Sequence, residues 1–218
     1  MKPGALLDLL FPPKCPFCGR ITEKNGICPA CERELPWTVG REALREGDGL
    51  RCAAPLWYEG LAREGLLRFK FRGGASAGAL GALVARCAAE ELSGEFDTVT
   101  WVPVSRKRLR KRGFDQARLL AREAARLWDT EPVELLVKIR DNPPQSGIRE
   151  RAARRANVLG VYRMAPGAVA AGRRILLIDD ICTTGETLRE CARVLKDAGA
   201  ESVVCAAAAH AREQPKKG

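Results

Sequence analysis

Two adjacent carboxylates, Asp179 and Asp180, end the apolar run Ile175, Leu176, Leu177 and Ile178, and a turn of Cys182, Thr183, Thr184, Gly185, Glu186 and Thr187 follows at once. Such a turn gathers hydroxyls and backbone amides at the start of a helix. The first amides of a helix have no partner within it and sit at the positive end of its dipole, so they take up anions. Carboxylates beside an anion site suit sugar hydroxyls, or a divalent cation that comes in with the ligand. A ribose 5-phosphate group meets both demands. The pattern GxxxxGK[ST] is absent, which sets aside a P-loop.

The elements that hold this turn are visible as patterns. Four consecutive apolar residues read as a strand buried on both faces, as in a parallel sheet. Leu188, Cys191, Leu195 and Ala198 recur at spacings of three and four, so a helix follows the turn. Helical stripes also run over Ser76–Leu92 and Asp115–Trp128, with a shorter helix over Leu61–Phe71. Strands are expected over Ala53–Tyr58, Thr98–Val104, Glu134–Ile139 and Ser202–Ala208, and Val158–Met164 is expected to pair as a short hairpin. Residues 37–50 read as a polar linker. Strands alternating with helices give a parallel sheet with right-handed crossovers, and ligands of such sheets bind at the carboxyl ends of the strands. Asp179, Asp180 and Ser105 then share one rim.

The 218 residues carry a formal charge of +10, and that charge is concentrated. Residues 105–126 hold nine Lys or Arg against two acids, and residues 138–163 hold seven against two. Patches of this kind call for an anionic partner, diphosphate or nucleic acid. Ser105, Arg106, Lys107, Arg110 and Arg112 follow a strand end directly. There they can neutralise a diphosphate leaving group as its charge develops, or track a nucleic-acid backbone. Of the aromatic residues only Phe114 is interleaved with the basic runs, so phosphate contacts outweigh base stacking in any binding of DNA.

Cys15 and Cys18, then Cys28 and Cys31, form two CxxC knuckles. Four thiolates around one ion make a closed tetrahedral site, structural and not catalytic, with zinc as its expected occupant. A segment this small buries little core of its own, and a metal stabilises it. The sole histidine, His210, lies far along the chain. Cys87, Cys191 and Cys205 sit on apolar faces and read as core. Cys182 lies in the phosphate turn, with nothing near it in sequence to make it a nucleophile. Nine cysteines and no visible signal peptide give the expectation of a reducing, cytoplasmic setting. No apolar run approaches the roughly 20 residues of a membrane span.

The segment from Ile175 to Thr187 resembles the ribosyl-diphosphate (PRPP) motif of type I phosphoribosyltransferases. The resemblance implies that Asp179 and Asp180 meet the ribose hydroxyls and that Cys182, Thr183, Thr184, Gly185, Glu186 and Thr187 bind PRPP, with Mg2+ arriving beside it. The turn from Thr183 to Thr187 would take the 5-phosphate. LLDLLFPPKCPFC, CPAC, PVSRKRLRKRGFDQA, the Gln145…Arg151…Asn157 loop and ILLIDDICTTGET occur in this order. Together they resemble the ComF family of competence proteins over nearly the whole chain.

That resemblance implies an α/β fold. A type I phosphoribosyltransferase-like parallel sheet flanked by helices occupies residues 51–218, behind a small N-terminal four-cysteine zinc-binding module and linker over residues 1–50. It implies handling of incoming single-stranded DNA in natural transformation, with a DNA-uptake helicase or DNA-processing proteins as partners. It also implies a hood over PRPP built from the loop with Gln145, Arg151 and Asn157. Asp115 departs from the family, which more often has Asn there. Thr183 stands where purine-salvage enzymes place an Asp that assists proton transfer, which disfavours purine salvage. Two readings stay open: a PRPP-binding DNA-uptake factor, and a working phosphoribosyltransferase with an unidentified acceptor. No catalytic residue stands out.

Overall fold

The apolar run Ile175–Ile178 becomes the centre of the molecule, with all four side chains fully buried. The computed structural model describes residues 13–22, 26–72, 76–142 and 156–212. In chain order its elements are α1 (Pro29–Glu34), a 3-10 turn (Gly40–Ala43), β1 (Leu44–Gly47), β2 (Leu50–Ala53), α2 (Gly60–Arg72), α3 (Ala77–Glu91) and β3 (Thr98–Trp101). They continue with α4 (Arg106–Arg112), α5 (Gln116–Arg126), β4 (Leu136–Lys138), β5 (Tyr162–Met164), β6 (Arg174–Cys182), α6 (Glu186–Asp197) and β7 (Ser202–His210).

Five strands form one sheet in the order β1-β2-β7-β6-β3. The pairs β2–β7, β7–β6 and β6–β3 are parallel, and β1 closes one edge antiparallel to β2. Successive side chains of a strand point to opposite faces, and β6 shows the consequence. Leu176 and Ile178 pack in one core with Leu80 and Val84 of α3 and Leu120 and Ala124 of α5. Ile175 and Leu177 pack in the other with Leu188, Cys191 and Leu195 of α6. A strand covered on both faces has no polar positions to alternate, which is why it reads as a continuous apolar run. The strands β4 and β5 pair antiparallel as a separate ribbon.

Two stretches differ from the sequence expectation. The strand expected over Ala53–Tyr58 lies earlier, at Leu50–Ala53, because Pro55 has no amide to give to a ladder. Beyond it Leu56 and Trp57 make only isolated bridges, to Trp37 and His210. Residues 37–50, expected as a linker, contain the 3-10 turn and β1, so this polar stretch supplies the sheet with an exposed edge. The expected hairpin near Val158–Met164 is β5 on β4.

The cysteine module docks on this frame. Phe17 is fully buried and packs on α2 at Gly65, where a Cβ would come within 2.5 Å of the Phe17 ring. Among the described residues no helix is long and apolar enough to cross a membrane.

Asp115 explains itself structurally. It caps α5, accepting from Arg118 N–H at 3.2 Å through Oδ1, and accepts from Val104 N–H at 2.9 Å through Oδ2. One carboxylate thus ties the loop after β3 to the start of α5. An Asn offers one oxygen where two amides are served. Asp115→Ala should cost about 1–3 kcal/mol in urea unfolding, through loss of the cap and a stranded amide. Asp115→Asn should cost less, and equal losses for the two variants would contradict this role.

Candidate functional site

The strands β3 and β6 run parallel to their last pair, Trp101 with Ile178, and the chain then leaves in different directions. A cavity of about 210 Å³ opens at this carboxyl end. From β6 and the turn after it come Asp179, Asp180, Ile181, Thr183 and Thr187. The β6–β7 pairing passes from Asp179 opposite Ala207 to Ile181 opposite Ala209. Facing the carboxylates are Arg108 and Arg112 of α4, Lys138 at the end of β4, and Lys70 of α2. Tyr58, Gln116, Asn142 and Tyr162 complete the walls.

The short helix α4 is built of six basic residues and one Leu, and it is held by its surroundings. Ser105 caps it by accepting from Arg108 N–H at 3.2 Å, and donates to Asp141 Oδ1 at 2.6 Å. Gly113 ends it in the left-handed conformation. Residues 108 and 112 are one turn apart and share a face. Arg108 donates to the Asn142 carbonyl at 2.6 Å, and Arg112 to Gln116 Oε1 at 3.0 Å. Gln116 in turn donates to the Lys70 carbonyl at 3.0 Å, joining α5 to α2 behind the cations.

Charge is uneven across this cavity. Burial, then the neighbouring Asp180 carboxylate, pushes the Asp179 carboxyl well above the usual carboxylate range. On the opposite wall burial, then Arg108, brings Lys138 down to about 8. Its ammonium lies 5.2 Å from the centre of the Tyr162 ring. Burial, then Arg108, also lowers Arg112. Both walls therefore hold charge against its own preference, the mark of a site built for a polar ligand.

The turn between β6 and α6 presents donors. The amides of Thr184 and Gly185 give hydrogen bonds to no group among the described residues. Thr184 Oγ1 and Asn142 Oδ1 are buried without a hydrogen-bond partner among the described residues. Gly185 adopts φ 77°, and a Cβ there would come within 2.5 Å of Leu50 Cδ2, so any other residue would be strained and would displace Leu50. Arg189 braces the turn from behind, donating to the Thr184 carbonyl at 2.6 Å and to Glu186 Oε1 at 3.0 Å. Arg45 donates to the Thr183 carbonyl.

The structure thus brings Asp179, Asp180, Thr183, Thr187 and Arg112 onto one cavity, with Thr184, Gly185 and Glu186 forming the turn beside it. Cys182 is buried and faces Cys52 and His210. Cys52 beside it holds the Cys182 thiol well below its ordinary range despite burial, helped by His210 and Arg45. Ser105, Arg106 and Lys107 line a separate groove of about 1020 Å³, with Phe114, Arg118, Arg122, Arg140 and Arg163. Arg110 is exposed on α4 outside both. Of the expected hood, Gln145 and Arg151 lie outside the described residues, and the Asn157 carbonyl accepts from Asn142 Nδ2 at 2.7 Å. Sequence reading misses Arg108, Lys138 and Lys70. The i, i+4 spacing of 108 and 112 is a usable signal for the first, while the others depend on distant packing.

Cys15, Cys18, Cys28 and Cys31 place their sulfurs within 4.8 Å of one another, and three of the four are buried. The Cys31 amide donates to Cys28 Sγ at 3.5 Å and, as the largest cause, lowers that thiol to about 7. Four convergent thiols with a backbone amide on one sulfur fit a closed structural metal site.

Residues 109–217 match the model of the phosphoribosyl transferase domain, and residues 6–47 that of the double zinc ribbon domain. The chain is 30% identical to competence protein ComFC of Bacillus subtilis, covering 85% of this chain and 72% of that protein. It is 31% identical to ComFC of Streptococcus pneumoniae, over 84% and 80% of the two chains. The chain belongs to the ComF family. A further relative, DNA utilization protein YhgH of Escherichia coli K12, is 32% identical over 49% of this chain and 46% of its own. The chain carries a phosphoribosyltransferase-type α/β domain, and its N-terminal cysteine cluster supports structural zinc.

The crowding of Asp179 against Asp180 has a measurable sign. A carboxyl raised in the folded state binds its proton more tightly there than in the unfolded chain, so stability falls as pH rises above the ordinary carboxylate range. Asp179→Asn removes that loss. The ligand-free variant should melt above the parent at neutral pH, with the gap closing towards about pH 4. A variant less stable than the parent at pH 7 would refute this.

Proposed function

We propose that this ComF-family protein binds PRPP with Mg2+ in the cavity below Asp179 and Asp180, and handles incoming single-stranded DNA during natural transformation. One observation carries the first half. Carboxylates on one wall, cations on the other and unpartnered donors in the adjoining turn match the three parts of PRPP in order. The turn from Thr183 to Thr187, whose Thr183 and Thr187 line the cavity, takes the 5-phosphate. Asp179 and Asp180 accept from the ribose hydroxyls. Arg108, Arg112, Lys138 and Lys70 neutralise the diphosphate. A magnesium ion carried by PRPP supplies further charge neutralisation beside the acidic pair, whose mutual repulsion it relieves.

The second half rests on the larger groove. It is lined by Arg106, Lys107, Arg118, Arg122, Arg140 and Arg163, with the half-buried Phe114 among them. The Arg118 guanidinium lies 5.4 Å from the Trp101 ring centre, so one cation is already committed to an aromatic face. A wall of this kind follows a phosphate backbone without reading bases. The names of the relatives, competence protein and DNA utilization protein, agree with such a partner. We place the protein in the cytoplasm, where the knuckle thiols stay reduced.

A second reading is favoured by the cations themselves. If an acceptor enters, the bond from C1 of the ribose to diphosphate breaks, and its electron pair leaves with the diphosphate onto Arg108, Arg112 and Lys138. The nucleophile then bonds to C1 and loses its proton to solvent. Donors aimed at developing charge are the largest contribution such a site can make.

Two measurements test these readings. Calorimetric titration should show PRPP with Mg2+ binding to the parent. Binding should disappear in Asp180→Ala and weaken about tenfold or more in Arg108→Ala, the loss of a charge-assisted hydrogen bond. Undiminished binding in both variants would remove the cavity as the site. For single-stranded DNA, log affinity should fall linearly with log salt. Arg106→Ala combined with Lys107→Ala should flatten the slope by about 1.4, near 0.7 for each lost phosphate contact. An unchanged slope would place DNA elsewhere.

A further inference from the structure

Behind the phosphate turn lies a second cluster of soft ligands. Cys52 of β2, Cys182 at the end of β6 and His210 at the end of β7 place their ligating atoms within 4.8 Å of one another. All three are buried, at 0%, 1% and 0% exposure. Cys182 is the register partner of His210, and Cys52 approaches them from β2 on the other side of β7, where its own register partner is Cys205. Both sulfurs are removed in sequence from the knuckles and owe nothing to the CxxC pattern.

The histidine points to a missing partner. Among the described residues neither buried ring nitrogen of His210 makes a well-formed hydrogen bond, and the ring's polar neighbour is the Cys182 thiol, whose charge it influences. A neutral imidazole carries one donor and one acceptor, and leaving either unpaired in the interior costs free energy. The backbone around it is fixed: His210 N–H donates to the Leu56 carbonyl at 2.8 Å, and its own carbonyl accepts from Tyr58 N–H at 2.7 Å. The ring is therefore held where it is, against two thiols, by bonds that do not satisfy it.

We propose that Cys52, Cys182 and His210 form a second metal site, for a thiophilic d10 cation, Zn2+ or Cu+. Two thiolates and one imidazole are the donor set that such ions take. Binding releases the two thiol protons, and the two thiolates neutralise a dication outright. Arg45 lies at the edge of the site, 3.9 Å from Cys182 Sγ. Its guanidinium donates to the Thr183 and Ala211 carbonyls, the second at 2.5 Å. The metal ties the ends of three strands together one residue before Thr183. It anchors the root of the phosphate turn and does not enter the ligand cavity.

Metal analysis of the full-length chain decides this. Protein loaded with Zn2+ under reducing conditions and then desalted should keep two equivalents per chain, one in the knuckles and one here. A parallel loading with Cu+ separates the two ions by which fills the second site. Cys52→Ser, Cys182→Ser and His210→Gln should each bring the count to one, and Cys15→Ser with Cys18→Ser should also leave one. A count of one in the parent overturns the proposal whatever the variants do. So does a count of two that none of the three core substitutions lowers. A parent chain isolated with Cys52 and Cys182 joined as a disulfide, lighter by two hydrogens and unable to load the second metal, overturns it as well.

Discussion

Asp179 and Asp180 set two carboxyls side by side, half-buried at the carboxyl end of the central strand, and the molecule is organised around keeping them there. The strand that carries them is buried on both faces, so it cannot shift to relieve the repulsion. The cost is visible in the raised Asp179 carboxyl. A carboxyl raised in this way at a cleft marks a candidate binding site, where a ligand that meets the carboxylates would relieve the cost. The facing cations cannot do so alone, because they are tethered in their own network through Asn142, Gln116 and the Lys70 carbonyl.

That network begins in α4, seven residues with no acid among them. Such a helix repels itself, and it persists through its ends and its neighbours. Ser105 caps one end, Gly113 turns the other, and Asp141 lies 3.6 Å from Arg108 and 3.9 Å from Lys107. The helix divides its charge between two cavities. Arg108 and Arg112 point one way, Arg106 and Lys107 the other. A ligand that neutralises one wall changes the field at the other, so PRPP and a polyanion in the groove are expected to influence each other's affinity, reciprocally.

Much of this is readable in the residues. The apolar run before Asp179 marks the central strand, and the spacing of Leu188, Cys191 and Leu195 marks α6, because local periodicity encodes burial. The cysteine knuckles are equally plain. The basic run points to Arg112 and passes over Arg108, although both lie on one helical face. Lys138 and Tyr162 come from the β4–β5 ribbon, whose docking against α6 depends on long-range packing that no short pattern records. The same holds for Cys52, Cys182 and His210. Each looks ordinary alone, and only the strand order shows them to be neighbours. Pro55 moves β2 earlier than its apolar content indicates, a case where a missing amide outweighs hydrophobicity.

The seam between Phe17 and Gly65 bears on how this protein can be cut. The glycine leaves a notch in α2 that the phenyl ring fills completely. Phe69 and Leu66 lie in the same buried cluster as Phe17 and the knuckle cysteines. Trimming the chain ahead of α2 to isolate the larger part would open that notch and wet its greasy lining. The shortened product would tend to stick to itself, so the small cysteine-rich lobe works as a lid on the body's own interior and not as a detachable accessory.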